Sequence, residues 1–236
     1  LQTVDDDLRR SFEPRTASVA ERLRLLSQAR ALGLNGGIMA MPILPGLTDK
    51  ANQIESLVQL AKDAGAQFAC FGGLTLRPGR QKNTFYEHVR QFAPHLLAGY
   101  DLAYAQERSS GAPDLRFTNK VTARFAEALL KAGLPARIPR AVFSGIVPTY
   151  TEASVLLEHE HTAALLRGQK RQLMNSGYAI AKWARSRLVT LTRRKGFSYR
   201  DVETEFLSRV QDGSLTQLPE VTEDARTQLL ALGFGA

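Results

Sequence analysis

Gly36-Gly37-Ile38-Met39-Ala40-Met41-Pro42-Ile43-Leu44-Pro45-Gly46-Leu47-Thr48-Asp49 decides how this chain is read, because an apolar run enters a Pro-Gly turn and then a pair of residues able to cap a helix. The run predicts a strand from about Gly37 to Leu44. Its nearly continuous apolar character suits a parallel sheet covered on both faces. Ligands of α/β folds bind beyond the carboxyl ends of parallel strands, where loops expose backbone groups the strands no longer use. The segment therefore points to a site without naming its ligand.

Outward from this strand the first hundred or so residues alternate helix and strand. Upstream, Ser18-Val19-Ala20-Glu21 has capping-box spacing. Val19, Leu23, Leu26 and Ala29 then recur at helical spacing as one buried face, and Gly33 ends the helix. Downstream, Thr48 or Asp49 is placed to cap a helix that carries Ile54, Leu57, Val58 and Ala61 inward and stops near Gly65. A second strand, Gln67 to Leu76, runs into the loop Arg77-Pro78-Gly79-Arg80. Helix, strand, helix, strand in this order means βαβ units.

After about residue 110 helical patterns dominate. Phe117, Val121, Phe125 and Leu129 form one stripe; Val155, Leu156, Leu165 and Leu166 belong to another. Between them Leu134-Pro135-Ala136-Arg137-Ile138-Pro139-Arg140 reads as an extended connector, since each proline removes an amide donor and restricts its predecessor. A loose boundary near Ser109-Ser110-Gly111-Ala112-Pro113 divides the chain into residues 1–108 and 109–236.

Composition bounds the rest. The 236 residues, 44% hydrophobic and 23% charged, suffice for one or two compact units. No apolar run approaches the ~20 residues that cross a bilayer, and no basic-then-apolar leader opens the chain, so a cytoplasmic location with no membrane partner is expected. A single cysteine, Cys70, excludes an intramolecular disulfide and any site built from several thiolates of this chain. The chain starts at Leu1, in what reads as a strand-to-loop transition, and the expectation is a fragment without its N-terminal half.

Thr3-Val4-Asp5-Asp6-Asp7-Leu8, Phe12-Glu13-Pro14-Arg15-Thr16, Glu21-Arg22-Leu23, the run from Met41 to Asp49, and Gly72-Gly73-Leu74-Thr75-Leu76-Arg77-Pro78-Gly79 occur in that order. Together they resemble the second half of radical S-adenosylmethionine proteins, in the spore photoproduct lyase-like branch, over about residues 1 to 105. The resemblance implies an α/β fold, the C-terminal part of a partial (β/α)6 TIM-like barrel followed by a mostly helical region. It also implies a [4Fe-4S] cluster whose unique iron binds S-adenosylmethionine, a reductant protein to supply the electron, and cleavage to a 5′-deoxyadenosyl radical. The family's CxxxCxxC motif is absent from this chain and would lie upstream of Leu1. Without those thiolates the polypeptide does not ligate the cluster in the family's way.

Carried over by position, the resemblance makes Gln2 the polar side chain on the ribose hydroxyls. It makes Arg15, or alternatively Arg22, the partner of the methionyl carboxylate, a role suited to a guanidinium fork that is always charged. Met41 would line the ligand at the end of one strand, and Leu74, Thr75 and Leu76 would pack near adenine at the next. The plainer reading of Met41 and the two leucines is core packing. Cys70 does not match the cysteine hydrogen donor of spore photoproduct lyases, which belongs to an earlier strand. Flanked by Phe68, Ala69 and Phe71, it reads as a buried small hydrophobe. In Glu158-His159-Glu160-His161 the two histidines point to different sides of a helix, which leaves one Glu158–His161 pair and no metal site.

Charge is the second feature. From His161 to Arg200 there is no Asp or Glu, while Arg167, Lys170, Arg171, Lys182, Arg185, Arg187, Arg193, Arg194, Lys195 and Arg200 contribute ten positives. Tyr178, Trp183, Phe197 and Tyr199 are interleaved, which is what a surface holding phosphates and stacking on bases needs. Arg171, Lys182, Arg185, Arg193, Arg194 and Lys195 are the candidate contacts to DNA or RNA. The plainer account is a helix whose Ala179, Ile180, Trp183 and Leu188 face the core while the cations are solvated. Two function classes follow: part of a radical S-adenosylmethionine enzyme acting on nucleic acid, or a non-catalytic nucleic-acid-binding module on an α/β scaffold.

Overall fold

The computed structural model describes residues 2–193, 196 and 198–235, the side chain of residue 166 excepted. It divides into two compact units, Leu1–Pro139 and Arg140–Ala236. The division lies after the Leu134–Pro139 connector and not near Gly111, because the helix between these points packs with the strands.

In the first unit the elements are α1 (Asp6–Phe12), α2 (Val19–Ala31), β1 (Ile38–Ile43), α3 (Ala51–Asp63), β2 (Ala69–Gly73), α4 (Arg80–Phe92), α5 (Leu97–Ala103) and α6 (Leu115–Ala132), with a 3-10 turn at Pro94–Leu96. The capping box at Ser18 and Glu21 starts α2 as expected. Of its expected buried face only Val19 is fully covered; Leu23, Leu26 and Ala29 are half-buried. β1 and β2 pair in parallel through the α3 crossover, with Ile38 beside Ala69, Met39 beside Cys70 and Ala40 beside Phe71. The ladder is irregular between Ala40 and Ile43, where Pro42 has no amide to donate. Along the other edge of β2, the Ala69 amide donates to the Pro135 carbonyl at 3.0 Å, which pins the connector there.

The core of this unit lies on one face of the pair. Ile38, Ala40, Ile43 and Ala69 meet Ile54, Leu57, Val58 and Ala61 of α3 and Val121, Phe125, Ala128 and Leu129 of α6. Phe125 stacks on Phe71 with ring centroids 4.6 Å apart. The expectation of a sheet covered on both faces is corrected: β1 alternates buried and open, with Met39 56% and Met41 37% exposed. Side chains in a strand alternate between faces, so an apolar run conceals which face is covered.

A second cluster closes over the strand ends. Leu44, Leu74, Leu76, Val89, Tyr100, Ala103 and Tyr104 are buried together, with Phe12, Phe85 and Phe117 packed against them.

The second unit is helical: α7 (Arg140–Phe143), α8 (Thr149–Leu166), α9 (Leu173–Leu191), α10 (Tyr199–Asp212) and α11 (Glu223–Ala231), with a 3-10 turn at Ser214–Gln217. Its core joins Ala153 and Leu157 of α8, Leu173, Ile180 and Ala184 of α9, Val202 and Phe206 of α10, and Leu229 of α11. In the expected α8 stripe Leu156 is buried, whereas Leu165 is exposed. Gly177 lets α8 and α9 close, since a Cβ there would sit 2.9 Å from the Ser154 carbonyl oxygen. Arg140 donates to the buried carboxylate of Glu152 and to the Leu232 carbonyl, and lies 5.0 Å over the Phe234 ring. Chain-wide, the architecture is mixed α/β and mostly helical, with one βαβ unit among the described residues. None of the helices in the described residues is long and apolar enough to cross a membrane.

Candidate functional site

The turn after β1 is built from its own side chains. The Leu44 amide donates to the Thr48 hydroxyl at 2.8 Å, and the Gly46 amide donates to the Asp49 carboxylate at 2.9 Å. Neither residue caps α3, as had been expected of one of them; the N-cap position is Lys50, with no side-chain cap. Both side chains are consumed in closing the Pro-Gly turn, the use that Ser, Thr and Asp find wherever nearby amides are orphaned. Arg124 of α6 then pairs with the Asp49 carboxylate at 3.5 Å and donates to its carbonyl. The strand end is held rigid before any ligand is considered.

Beyond the carboxyl ends of β1 and β2 lies a cavity of about 190 Å³. Ile43 and Pro45 form one side, Gly72 and Gly73 another, and Phe117, Thr118, Val121 and Thr122 of α6 a third. Apolar walls with a few hydroxyls and backbone groups are what an uncharged, flat ligand portion requires. α6 was expected to belong to the helical region; its place at the strand ends was not legible, since its stripe reads equally well as core.

The open face of the sheet adjoins this cavity at Gly72, which borders both. Met39 and Met41 of β1 stand on it with Cys70 and Gly72 of β2. Met41 packs against Gly72, where a Cβ would sit 3.4 Å from the Met41 methyl.

The residues carried over by resemblance fall in different places. Gln2 is buried, 5% exposed, two residues before Val4, which packs on the β1–α3 core. Arg15 is exposed and forms no ion pair among the described residues. Arg22 is engaged, pairing with Glu13 at 3.2 Å and donating to the Ala17 carbonyl at 3.1 Å. Leu74 and Leu76 are buried in the cluster over the strand ends, and Leu74 also lines the cavity; Thr75 is exposed. Met41, Gly72 and Leu74 thus gather at the end of the pair.

Tyrosines under the cluster were missed by sequence reading, although Tyr100 and Tyr104 stand four residues apart as one-face partners do. The Tyr104 hydroxyl donates to the Leu74 carbonyl at 2.8 Å. The Tyr100 hydroxyl is buried with no hydrogen-bond partner. Burial pushes both phenols up, with each other's proximity contributing for Tyr100, and it pushes Tyr86 up to about 12, aided by Asp101.

Cys70 is half-buried rather than buried, and it faces the open side. Burial raises its thiol, opposed by the nearby Arg137 charge. Among the described residues no group of His, Cys, Asp and Glu could hold a metal ion. His161 is satisfied by the Arg171 carbonyl at 2.5 Å, and the His159 ring stands perpendicular to that of Phe143, centroids 6.3 Å apart.

The basic stretch splits into two kinds of cation. Arg171 forks onto the Asp224 carboxylate at 2.6 and 3.0 Å and donates to Gln228. Arg187 pairs with Glu205 at 2.6 Å. Lys182, Arg185 and Arg193 are exposed, with no acid in ion-pair reach among the described residues. Arg194, Lys195 and Phe197 lie outside the described residues. Residues 140–236 hold 13 Lys and Arg against 10 Asp and Glu, so the acid-free stretch is largely balanced by acids on either side of it.

No family model matches the chain, and no solved structure matches it. Over 104 residues it is 33% identical to an uncharacterized protein of Mycobacterium bovis and to uncharacterized proteins of two Mycobacterium tuberculosis strains. The matched stretch covers 44% of this chain and 30% of each relative's length.

Proposed function

We propose that the first unit is part of the wall of a radical S-adenosylmethionine barrel, with the open face of its parallel pair turned toward the ligand. The observation that supports this most is the one-sided cover of β1. α3 and α6 shield only the face with Ile38 and Ala40, whereas Met39 and Met41 stay open. A doubly wound sheet carries helices on both faces, and a barrel carries them only outside. The motif order from Thr3 to Gly79 is the second support.

The cluster itself does not fit this chain. Cys70 is its one cysteine, and no metal-holding group exists among the described residues, so no step through the cluster is derived. Toward S-adenosylmethionine the chain offers three things in this reading. Met41 and Gly72 give an apolar wall with a close backbone approach. Arg15, unlike Arg22, has no neutralising acid among the described residues and is the better partner for a carboxylate. Gln2, already buried, would offer its amide to the ribose hydroxyls with part of its ordering cost met on folding. Bound to the cluster, S-adenosylmethionine would supply a 5′-deoxyadenosyl radical.

The test is anaerobic reconstitution of the complete gene product with iron and sulfide. Cluster absorbance and 5′-deoxyadenosine formation are expected, and Met41→Glu should abolish the nucleoside product while leaving the cluster absorbance intact. A complete product that forms neither would sink the reading.

A further inference from the structure

α9 carries a stripe that neither the core nor the ion pairs of its unit use. Tyr178, Lys182, Arg185 and Val189 are exposed at intervals of four, three and four residues, which places them along one side over three turns of helix. Arg193 follows a turn beyond. α9 contains no Asp or Glu. Tyr178 is 57% exposed, an unusual placement for a large aromatic ring.

Beside the stripe is a cavity of about 380 Å³, lined by Tyr178, Lys182, Trp183, Ser186, Pro219 and Glu220 among others. Its far wall is fixed: the Ser176 hydroxyl donates to the Glu220 carbonyl at 2.8 Å and accepts from the Thr222 amide at 3.2 Å. Trp183 is held by Arg209, whose guanidinium lies 5.6 Å from its ring centre. The slot therefore presents flat aromatic and proline surface on a rigid frame, opening onto cations that have no acid partner among the described residues.

We propose that this face binds single-stranded nucleic acid, with one base entering the slot against Tyr178 and Trp183 and the flanking phosphates lying on Lys182, Arg185 and Arg193. Aromatic faces with adjacent cations are the common chemistry of single-strand binding, since every base has a π-face and every linkage a charge. Glu220 sets the direction: a carboxylate at the slot repels phosphate, so the base faces inward and the backbone runs along the α9 side. Paired bases in a duplex cannot enter. Arg171 and Arg187 take no part, because their charges are already paired with Asp224 and Glu205. The site is independent of the S-adenosylmethionine reading and stands or falls without it.

The test is fluorescence anisotropy of the full 236-residue chain with labelled dT12 and with a 12-base-pair DNA duplex, across salt. Three phosphate contacts on a single strand give a log–log slope of about −2, a loss of about 20-fold between 50 and 200 mM salt. Tyr178→Ala should weaken dT12 by roughly 5- to 150-fold, the range of a lost stacking contact. Lys182→Ala, Arg185→Ala and Arg193→Ala together should flatten the slope toward zero. All four side chains are exposed, so the thermal transition of each variant should match the parent's. Tighter binding of the duplex than of dT12, no binding at 50 mM salt, or binding that none of these substitutions changes would overturn the assignment.

Discussion

Tyr100 and Tyr104 lie one helical turn apart in the same buried cluster, yet removing their hydroxyls should move stability in opposite directions. The Tyr104 hydroxyl donates to the Leu74 carbonyl at 2.8 Å, whereas that of Tyr100 is buried without a partner. Leaving a buried group unsatisfied costs about 1–3 kcal/mol. Tyr104→Phe orphans the carbonyl and should destabilise by that amount. Tyr100→Phe deletes the orphan and should stabilise by roughly 1 kcal/mol. Alkaline pH separates the two effects further. Burial raises both phenols, so between the unfolded value near 10 and the higher folded value the unfolded chain releases a proton that the folded one keeps. Their stabilising contribution is complete below pH 10 and is lost as pH rises above it. By pH 11 each costs about 1.4 kcal/mol relative to pH 7. Tyr100→Phe should therefore gain that much more over the parent at pH 11, and the deficit of Tyr104→Phe should shrink equally. Urea denaturation followed by near-ultraviolet circular dichroism at pH 7 and pH 11 measures all four differences. If Tyr100→Phe loses more than about 1 kcal/mol at pH 7, the hydroxyl has a partner and the reasoning fails.

Three further outcomes are expected. Arg171→Gln should cost about 1 kcal/mol or less at pH 7, the pair being partly exposed. The Arg171 hydrogen bonds hold the Asp224 carboxyl below its ordinary range, so this contribution is present above about pH 4 and vanishes as pH falls through the folded value, which acid titration of the variant's stability checks. Gly111→Ala should cost about 2–4 kcal/mol, since it adds a Cβ 2.5 Å from the Arg77 amide nitrogen at a φ of +74°, whereas Gly79→Ala, with open space around it, should show only the left-handed backbone penalty in the same melts. Phe125→Ala, stacked on Phe71 and fully buried, should lose about 3–5 kcal/mol in urea denaturation; a loss under 1 kcal/mol would remove α6 from the sheet core.

Periodicity carried the local elements. The capping box at Ser18, the strand ending before Pro45, the α3 face from Ile54 to Ala61 and the extended Leu134–Pro139 connector are each set by neighbours within a few residues. Covered faces and unit boundaries were another matter. The stripe from Phe117 to Leu129 says that one side of α6 is buried but not against what, and only packing on Phe71 and α3 drew it into the first unit. Thr48 and Asp49 carried a capping signal that the turn amides of Leu44 and Gly46 captured instead, because those donors were closer. Among the basic residues, charge count alone could not separate Arg171, locked to an aspartate 53 positions away, from Lys182, which faces solvent.

Sequence by itself therefore determined the βαβ rhythm, the single thiol and the acid-free basic stretch, since these depend on composition and on short-range spacing. Only the tertiary structure decided that β1 shows Met39 and Met41 on an exposed face, that the strand ends meet α6 at a cavity, and which cations lack an acid partner among the described residues. Each of those depends on contacts between residues far apart in the chain, and burial and ion pairing exist only once such residues meet.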